Sequence, residues 1–474
     1  SAYGGRDTAP QAATEDIFVD TFGEPISFYD AVVGGRSVGV PGLLRMLEAA
    51  HRDHGALAWA DLFAPAIAHA EEGFAVSDRL HNLLARDNHL SKFPRTQAYF
   101  YPGGAALRVG AIRDNPALAE TFRLIAAKGT APFYEGQIAE TIVAAIRNAP
   151  VNPGLLSLDD LAGYKPRQRD VLCRPYRQWR VCTMPPPTSG GGTLLQALGM
   201  LEAFDLASLP PDSLETVHLL AEASKRAYAD RGRYIADPDF VTVPVDGLLD
   251  PAYLLRRAGE INPARASGKA EAGEPESTFR LNFAPAPSVE LPSTSHISVI
   301  DRHGNAATMT SSIENAFGSR LMVAGFLLNN QLTDFSLRPH RNGVKVANRI
   351  EPFKRPRSSM APTLVFDQNE RLVLVLGTPG GSNIIPYMLQ TLVAILDQGQ
   401  EIHRAVALPH HANRNGPVQI EAGTTLERLE YDLVRMGHEV VRVPMTSGLH
   451  GIFLGDGTLT GGVDPRREGT ALGD

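Results

Sequence analysis

The 474 residues are 43% hydrophobic and 20% charged, which suits one large or several small globular domains and excludes a disordered or membrane-embedded chain. Lys+Arg 45 against Asp+Glu 52 gives a net charge of −7, and with no basic run the chain is not expected to bind nucleic acid. No apolar stretch reaches the roughly 18–20 residues of a membrane span, so no membrane span is expected in this chain.

In chain order, Arg6-Asp7-Thr8-Ala9-Pro10 is a polar entry to a long mixed region with several amphipathic helices. The spacing of Ile138, Ile142, Val143 and Ile146 predicts a helix over 136–148. Cys173 and Cys182 are too few for a disulfide framework or a cysteine zinc site, and two free core thiols are expected rather than a cross-strand pair. A strand over 179–184 runs into Pro185-Pro186-Pro187-Thr188-Ser189-Gly190-Gly191-Gly192, with a helix predicted over 193–201. No Lys-Ser/Thr follows the glycines, so this loop is expected to be a structural turn near a site rather than a phosphate cradle.

Asp212 and Glu215 have capping-box spacing, opening a helix with Val217, Leu220 and Tyr228 inward. Residues 262–293 are poor in large apolar side chains and are expected to form a flexible linker. After them, Ser298-Val299-Ile300-Asp301 and Ala307-Thr308-Met309-Thr310 flank a His303-Gly304-Asn305 turn and predict a hairpin. A mobile segment ending at a Thr that opens a buried strand suits a chain that cuts itself; an ordinary loop entering an ordinary strand is the local alternative. Strands are predicted over 363–366 and 372–376, then the turn Gly377-Thr378-Pro379-Gly380-Gly381-Ser382, a helix over 384–397, and a last hairpin around Gly455-Asp456-Gly457. Strands and helices come in blocks, which favours an α+β class.

Seven short stretches, in order, resemble the γ-glutamyltranspeptidase family. They are Arg6-Asp7-Thr8-Ala9-Pro10, Met184-Pro185-Pro186-Pro187, Asp237-Pro238-Asp239-Phe240, Thr294-Ser295-His296-Ile297-Ser298-Val299-Ile300-Asp301, Leu328-Asn329-Asn330-Gln331-Leu332-Thr333-Asp334-Phe335-Ser336, Lys354-Arg355-Pro356-Arg357-Ser358-Ser359-Met360 and Thr378-Pro379-Gly380-Gly381-Ser382. The resemblance implies a four-layer αββα fold of the N-terminal-nucleophile hydrolases. It also implies one precursor that cuts itself between Ser293 and Thr294 into a large-subunit part, 1–293, and a small-subunit part, 294–474. Thr294 is then the nucleophile. Chemistry agrees: a Thr hydroxyl needs a base, and a new N-terminal Thr carries one in its own α-amine, with an ordinary pKa near ~7.7–8.0. By the same resemblance, the backbone N–H groups of Gly380 and Gly381 stabilise the oxyanion. Ser358 and Ser359, with Arg6, bind the substrate α-carboxylate; Gln331 and Asp334 bind its α-ammonium; Ser312 stands where the family has a Thr assisting processing.

Glu314 departs from the family, whose members carry Asn there to touch the substrate amine. Beside Asp334 it would raise one carboxyl pKa unless a cation intervenes. The family also has a longer segment ahead of Arg6, and the stretch 336–353 is shorter than some members' lid, which suggests a more open pocket. The implied activity is cleavage of γ-glutamyl amides such as glutathione, with transfer to water or an amine, and no metal or organic cofactor. An amidase of the glutaryl or cephalosporin-acylase type is the alternative enzyme, disfavoured by the acidic pair Glu314/Asp334. An uncleaved, non-catalytic binding relative is the alternative of another class. Family habit implies a periplasmic or secreted protein. The histidines, His410-His411 among them, show no metal-ligand spacing.

Overall fold

The structure, a computed structural model, describes residues 1–276, 281–286, 291, 293–455 and 457–473. The chain forms two compact units, one of residues 1–169, 313–339 and 349–356, the other of 170–312, 340–348 and 357–474. Each unit draws on residues from both sides of the 293/294 bond.

The first unit is mainly helical. Its helix Gln137–Arg147 matches the predicted span within a residue at each end and buries Ile138, Ala139, Ile142 and Ile146, with Val143 half-buried beside them. These side chains meet Val32, Val38, Leu156 and Leu161, so the 3.6-residue pattern is satisfied within the unit. The polar entry strand is fixed by its backbone: Thr8 and Val40 exchange N–H···O bonds of 3.3 and 2.8 Å, and the Ala9 N–H reaches the Lys354 carbonyl at 2.8 Å.

The second unit is layered. Strands β1 (Leu172–Tyr176) and β2 (Trp179–Thr183) precede helices α1 (Gly190–Leu201) and α2 (Leu214–Tyr234). Then come the hairpin β3 (Ser295–Ile300) and β4 (Ala306–Ser311), strands β5 (Thr363–Phe366) and β6 (Leu372–Gly377), helix α3 (Ile384–Leu396), and the closing hairpin β7 (His450–Gly455) and β8 (Thr458–Val463). Six of these strands form one antiparallel sheet in the order β8-β7-β6-β5-β2-β1. Side chains alternate across it: Leu374 and Leu376 join the core made with α1, α2 and α3. Gly377 faces the other way, where the His296 ring of hairpin β3–β4 packs on it. The unit thus stacks a helix layer, a six-stranded sheet and the hairpin, an α+β arrangement. Helix α3 is buried along its whole length, and its polar members are satisfied: Gln390 donates to the Pro409 carbonyl at 2.7 Å and Thr391 to the Tyr387 carbonyl at 2.9 Å.

Four expectations are corrected here. Cys173 and Cys182 are not free thiols but a disulfide, because the β1–β2 register sets them directly opposite each other. Helix α1 begins at Gly190 rather than 193; its first turn closes through the glycines, with the Thr193 N–H on the Ser189 carbonyl at 3.0 Å. The cap of α2 is Ser213, whose Oγ accepts from the Thr216 N–H at 3.2 Å, while Asp212 pairs with Arg428 at 2.7 Å. Of the expected linker, 277–280, 287–290 and 292 lie outside the described residues, but the rest is tied down. Lys225 donates to the Ser267 carbonyl at 2.7 Å, the Asn415 amide brackets Ala270, and Ala284 bridges to Val346. Its few apolar side chains gave no sign of this, since mostly backbone groups make the contacts.

Candidate active site

The hairpin register positions Thr294. Ser295 pairs with Ser311 across β3–β4, so the residue before Ser295 falls opposite the residue after Ser311. The Thr294 hydroxyl accordingly lies 3.3 Å from Ser312 Oγ, and Thr294 is buried. Two residues on, His296 contacts Thr310 Oγ1 at 2.9 Å and Ser298 Oγ at 3.0 Å through its two ring nitrogens. Burial, and secondarily His450 at 5.0 Å between ring centroids, pushes its pKa down to about 3, so the ring is neutral and serves as a hydrogen-bonded prop.

The same unit holds the second glycine-rich turn. Strand β6 ends at Gly377, and Gly380 (φ +148°) and Gly381 (φ +56°) turn the chain into α3. These left-handed values, and the Tyr387 ring 2.9 Å from where a Gly380 side chain would start, explain why glycine stands here. Ser358 and Ser359 lie against the first glycine-rich loop: the Ser189 N–H and Oγ both donate to the Ser358 carbonyl, at 2.7 and 2.6 Å. The two hydroxyls differ. Ser359 Oγ accepts from Arg231 at 2.8 Å, whereas Ser358 Oγ is buried without a hydrogen-bond partner. Such an orphan hydroxyl asks for a ligand.

The first unit holds the remaining expected residues. Arg6, buried, donates from Nε to the Pro356 carbonyl at 3.0 Å, from one terminal nitrogen to Gln331 and from the other to Asp334 at 2.5 Å. The residues expected on the substrate carboxylate and on its ammonium thus form one bonded group, with Arg6 as the cation on Asp334. Glu314, 5% exposed and at φ +71°, accepts from Asn330 Nδ2. A left-handed glutamate is a strained position, held by Asn330, which also accepts the Asn315 N–H at 2.9 Å and donates to Thr333 at 2.9 Å.

Four residues escaped sequence reasoning. Asn330 and Asp7 sit inside the quoted motifs, where their neighbours were the only signal. Asp7 takes a 3.1 Å hydrogen bond from Asn329, and burial, despite Arg6, pushes its carboxyl up to about 7. Arg231 and Arg467 carry no local signal, since their partners Ser359 and Thr294 lie 128 and 173 residues away. Among the described residues the ligand atoms of His218, Glu222 and His438 also come within 4.8 Å of one another. Lys225 at 2.7 Å and Arg226 at 2.9 Å already neutralise Glu222, and the two rings bond each other at 2.8 Å, so this cluster suits an ion-pair network rather than a cation.

A family model described as gamma-glutamyltranspeptidase matches residues 1–474. The chain is 36% identical to a glutathione hydrolase proenzyme of Bacillus subtilis over 482 residues, covering 99% of this chain and 80% of that protein. It is 35% identical to a glutathione hydrolase proenzyme of Escherichia coli, covering 97% and 79%. Among solved structures, a cephalosporin acylase from Bacillus halodurans superposes with a TM-score of 0.84 at 26% identity, covering 99% of this chain and 83% of that one.

Proposed function

The chain belongs to the γ-glutamyltranspeptidase family, with its αββα N-terminal-nucleophile fold, and on that premise we propose a self-processing γ-glutamyltransferase and glutathione hydrolase whose nucleophile is Thr294. In the precursor the Thr294 Oγ attacks the Ser293 carbonyl carbon, the acyl group moves from nitrogen to oxygen, and water hydrolyses the ester. This leaves a Ser293 carboxylate and a free Thr294 α-amine. Before the cut that nitrogen is an amide and accepts no proton; afterwards it removes the Oγ proton as Oγ attacks the γ-glutamyl carbonyl. The Gly380 and Gly381 N–H groups stabilise the oxyanion, the leaving amine takes the proton, and the γ-glutamyl ester passes to water or another amine.

The observation that carries this reading is the buried Thr294 at the mouth of β3 with its hydroxyl on Ser312. Ser358, with its partnerless hydroxyl, suits one oxygen of an α-carboxylate. Glu314 and Asp334 suit an α-ammonium, a group that a glutaryl chain lacks, and so support a γ-glutamyl donor over the acylase alternative. The precursor gives one large and one small subunit. We place the protein in the periplasm or outside the cell; the Cys173–Cys182 disulfide supports an oxidising compartment, and no helix among the described residues is long and apolar enough to cross a membrane.

Intact mass of the chain, followed over hours at neutral pH, tests the reading. Pieces of about 32 and 20 kDa are expected, the shares of 51.1 kDa carried by residues 1–293 and 294–474, with Thr294 at the new N-terminus. Thr294→Ala should stay whole and inactive. A chain that remains uncut yet turns over glutathione would sink the mechanism; one that stays whole and only binds γ-glutamyl compounds would favour the non-catalytic alternative.

A further inference from the structure

The Cys173–Cys182 bond shares no residue with the candidate active site. It joins β1 and β2 where the two cysteines stand directly opposite each other, nine residues apart in sequence. Leu172, Tyr176, Trp179 and Val181 turn to the helix core, so both cysteines, at alternate positions, turn to the opposite face of the sheet. On that face the hairpin β3–β4 packs on β6 and β7, towards the other end of the sheet from β1. Strand β1 is last in the sheet order, and β2 is enclosed between β1 and β5. Cys173 is accordingly half-buried, whereas Cys182, which also pairs with Leu364 of β5, is 6% exposed.

Arg180 serves both sulfurs. Its Nη1 lies 3.3 Å from Cys182 Sγ and 3.5 Å from Cys173 Sγ, its other terminal nitrogen pairs with Glu370, and its guanidinium carbon sits over the Phe366 ring, 4.7 Å from the centroid. These contacts hold the donor in place, and with Glu370 on its other nitrogen the sulfurs meet a fixed N–H rather than a free charge. Arg174 and Arg177 are engaged elsewhere, with Glu202 at 2.7 Å and Asp397 at 2.9 Å. We propose that the pair is a thiol-exchange site: a small thiolate attacks Cys173 Sγ, and Cys182 leaves as a thiolate on the Arg180 N–H. The attacker's sulfur bonds to Cys173 as the S–S bond breaks, and the bonding pair departs on Cys182. A second thiolate then attacks the attached sulfur and releases Cys173 as a thiolate, so that two thiols become one disulfide and the two cysteines gain two electrons. Topology sets the direction. In-line attack on Cys173 comes from the open sheet edge, while on Cys182 it would have to come through β5. Cys182 is also the sulfur nearer the Arg180 donor, which receives the charge that develops as the bond opens. Opening does not require unfolding, because β1 and β2 keep a register of five pairs and a two-residue connection, Arg177-Gln178. The site is separate from the Thr294 chemistry and stands whether or not that reading holds.

The test treats the folded full chain with 2-mercaptoethanol at neutral pH, quenches it at intervals with acidic N-ethylmaleimide, and maps the peptides by mass. The first product should carry the mercaptoethanol adduct on Cys173 and the maleimide on Cys182. An adduct mainly on Cys182, one shared evenly, or one formed only when denaturant unfolds the chain overturns the proposal. Arg180→Met removes the donor and keeps an unbranched stem over Phe366. It should slow opening by about 3–10-fold, with the adduct still on Cys173. A merely structural Arg180 gives the reverse, because a loosened sheet edge opens faster. Equal or faster opening in the methionine variant therefore overturns the role given to Arg180. Should that variant fail to fold, Arg180→Gln takes its place under the same criterion, and the position of the adduct in the unaltered chain reads the direction of attack without any variant.

Discussion

Ser358 and Ser359 are neighbours in sequence and buried alike, yet their hydroxyls have different tasks. Ser359 accepts from Arg231, whose Nε also holds Ser189 at 2.6 Å, so it belongs to the network that shapes the loop. Removing it strands a buried guanidinium proton, which costs about 1–3 kcal/mol. Ser358 Oγ has no such partner. If it meets a substrate carboxylate, Ser358→Ala should leave the melting temperature nearly unchanged but raise KM by about 10–100-fold, the value of one hydrogen bond to a charged group. Ser359→Ala should lower the melting temperature by several degrees. Thermal melts and steady-state kinetics on both variants check the split; a Ser358→Ala enzyme with unaltered KM would take that residue out of substrate binding.

Helix α2 makes the corresponding point for an element. Sequence spacing favoured Asp212 as the cap, but Ser213 has the extended backbone (φ −76°, ψ 157°) that directs its oxygen to the Thr216 N–H. Asp212 instead reaches across to Arg428, a pair with one partner 60% and the other 36% exposed. Ser213→Ala should therefore cost about 1 kcal/mol of stability, whereas Asp212→Ala should change it by less than about 0.5 kcal/mol. Denaturant midpoints of the two variants measure this, and equal losses would return the cap to Asp212. Burial of α2 makes its first turn matter: Val217 and Leu220 enter the core within two turns of the cap, so fraying there exposes apolar area.

At the scale of the whole molecule, buried neutral histidines set the response to acid. Burial lowers His296 and His411 to about 3 and His438 to about 4, from an ordinary 6.5. Their folded pKa values are depressed, so the unfolded chain binds more protons between about 6.5 and 3, and stability falls as pH drops through that window. Asp7, raised to about 7 by burial, works in the opposite direction between 3.8 and 7, since there the folded state holds the extra proton. Three histidines displaced about as far as Asp7 outweigh it. The urea midpoint should be level from pH 7 to 8 and decline steadily from pH 6.5 to 4. His438→Gln should flatten that decline. A midpoint that holds until the carboxylate range below about 4.5 would contradict it.

Periodicity and turn chemistry were enough to find the helix at Gln137–Arg147, the β3–β4 hairpin around His303-Gly304-Asn305, and the strand-turn-helix through Gly380, because those signals are local. The same locality made Thr294, Gly380, Gly381, Ser358 and Arg6 nameable, each standing in a short motif. What the sequence could not determine is pairing at a distance. The Cys173–Cys182 bond depends on a hairpin register, the ordering of 262–276 on backbone contacts to α2 and Asn415, and the hold of Arg467 on Thr294 on a contact spanning 173 residues. Side-chain type and spacing record what a residue can do; only tertiary packing, which brings remote groups within hydrogen-bond range and removes water from between them, decides with which partner it does so.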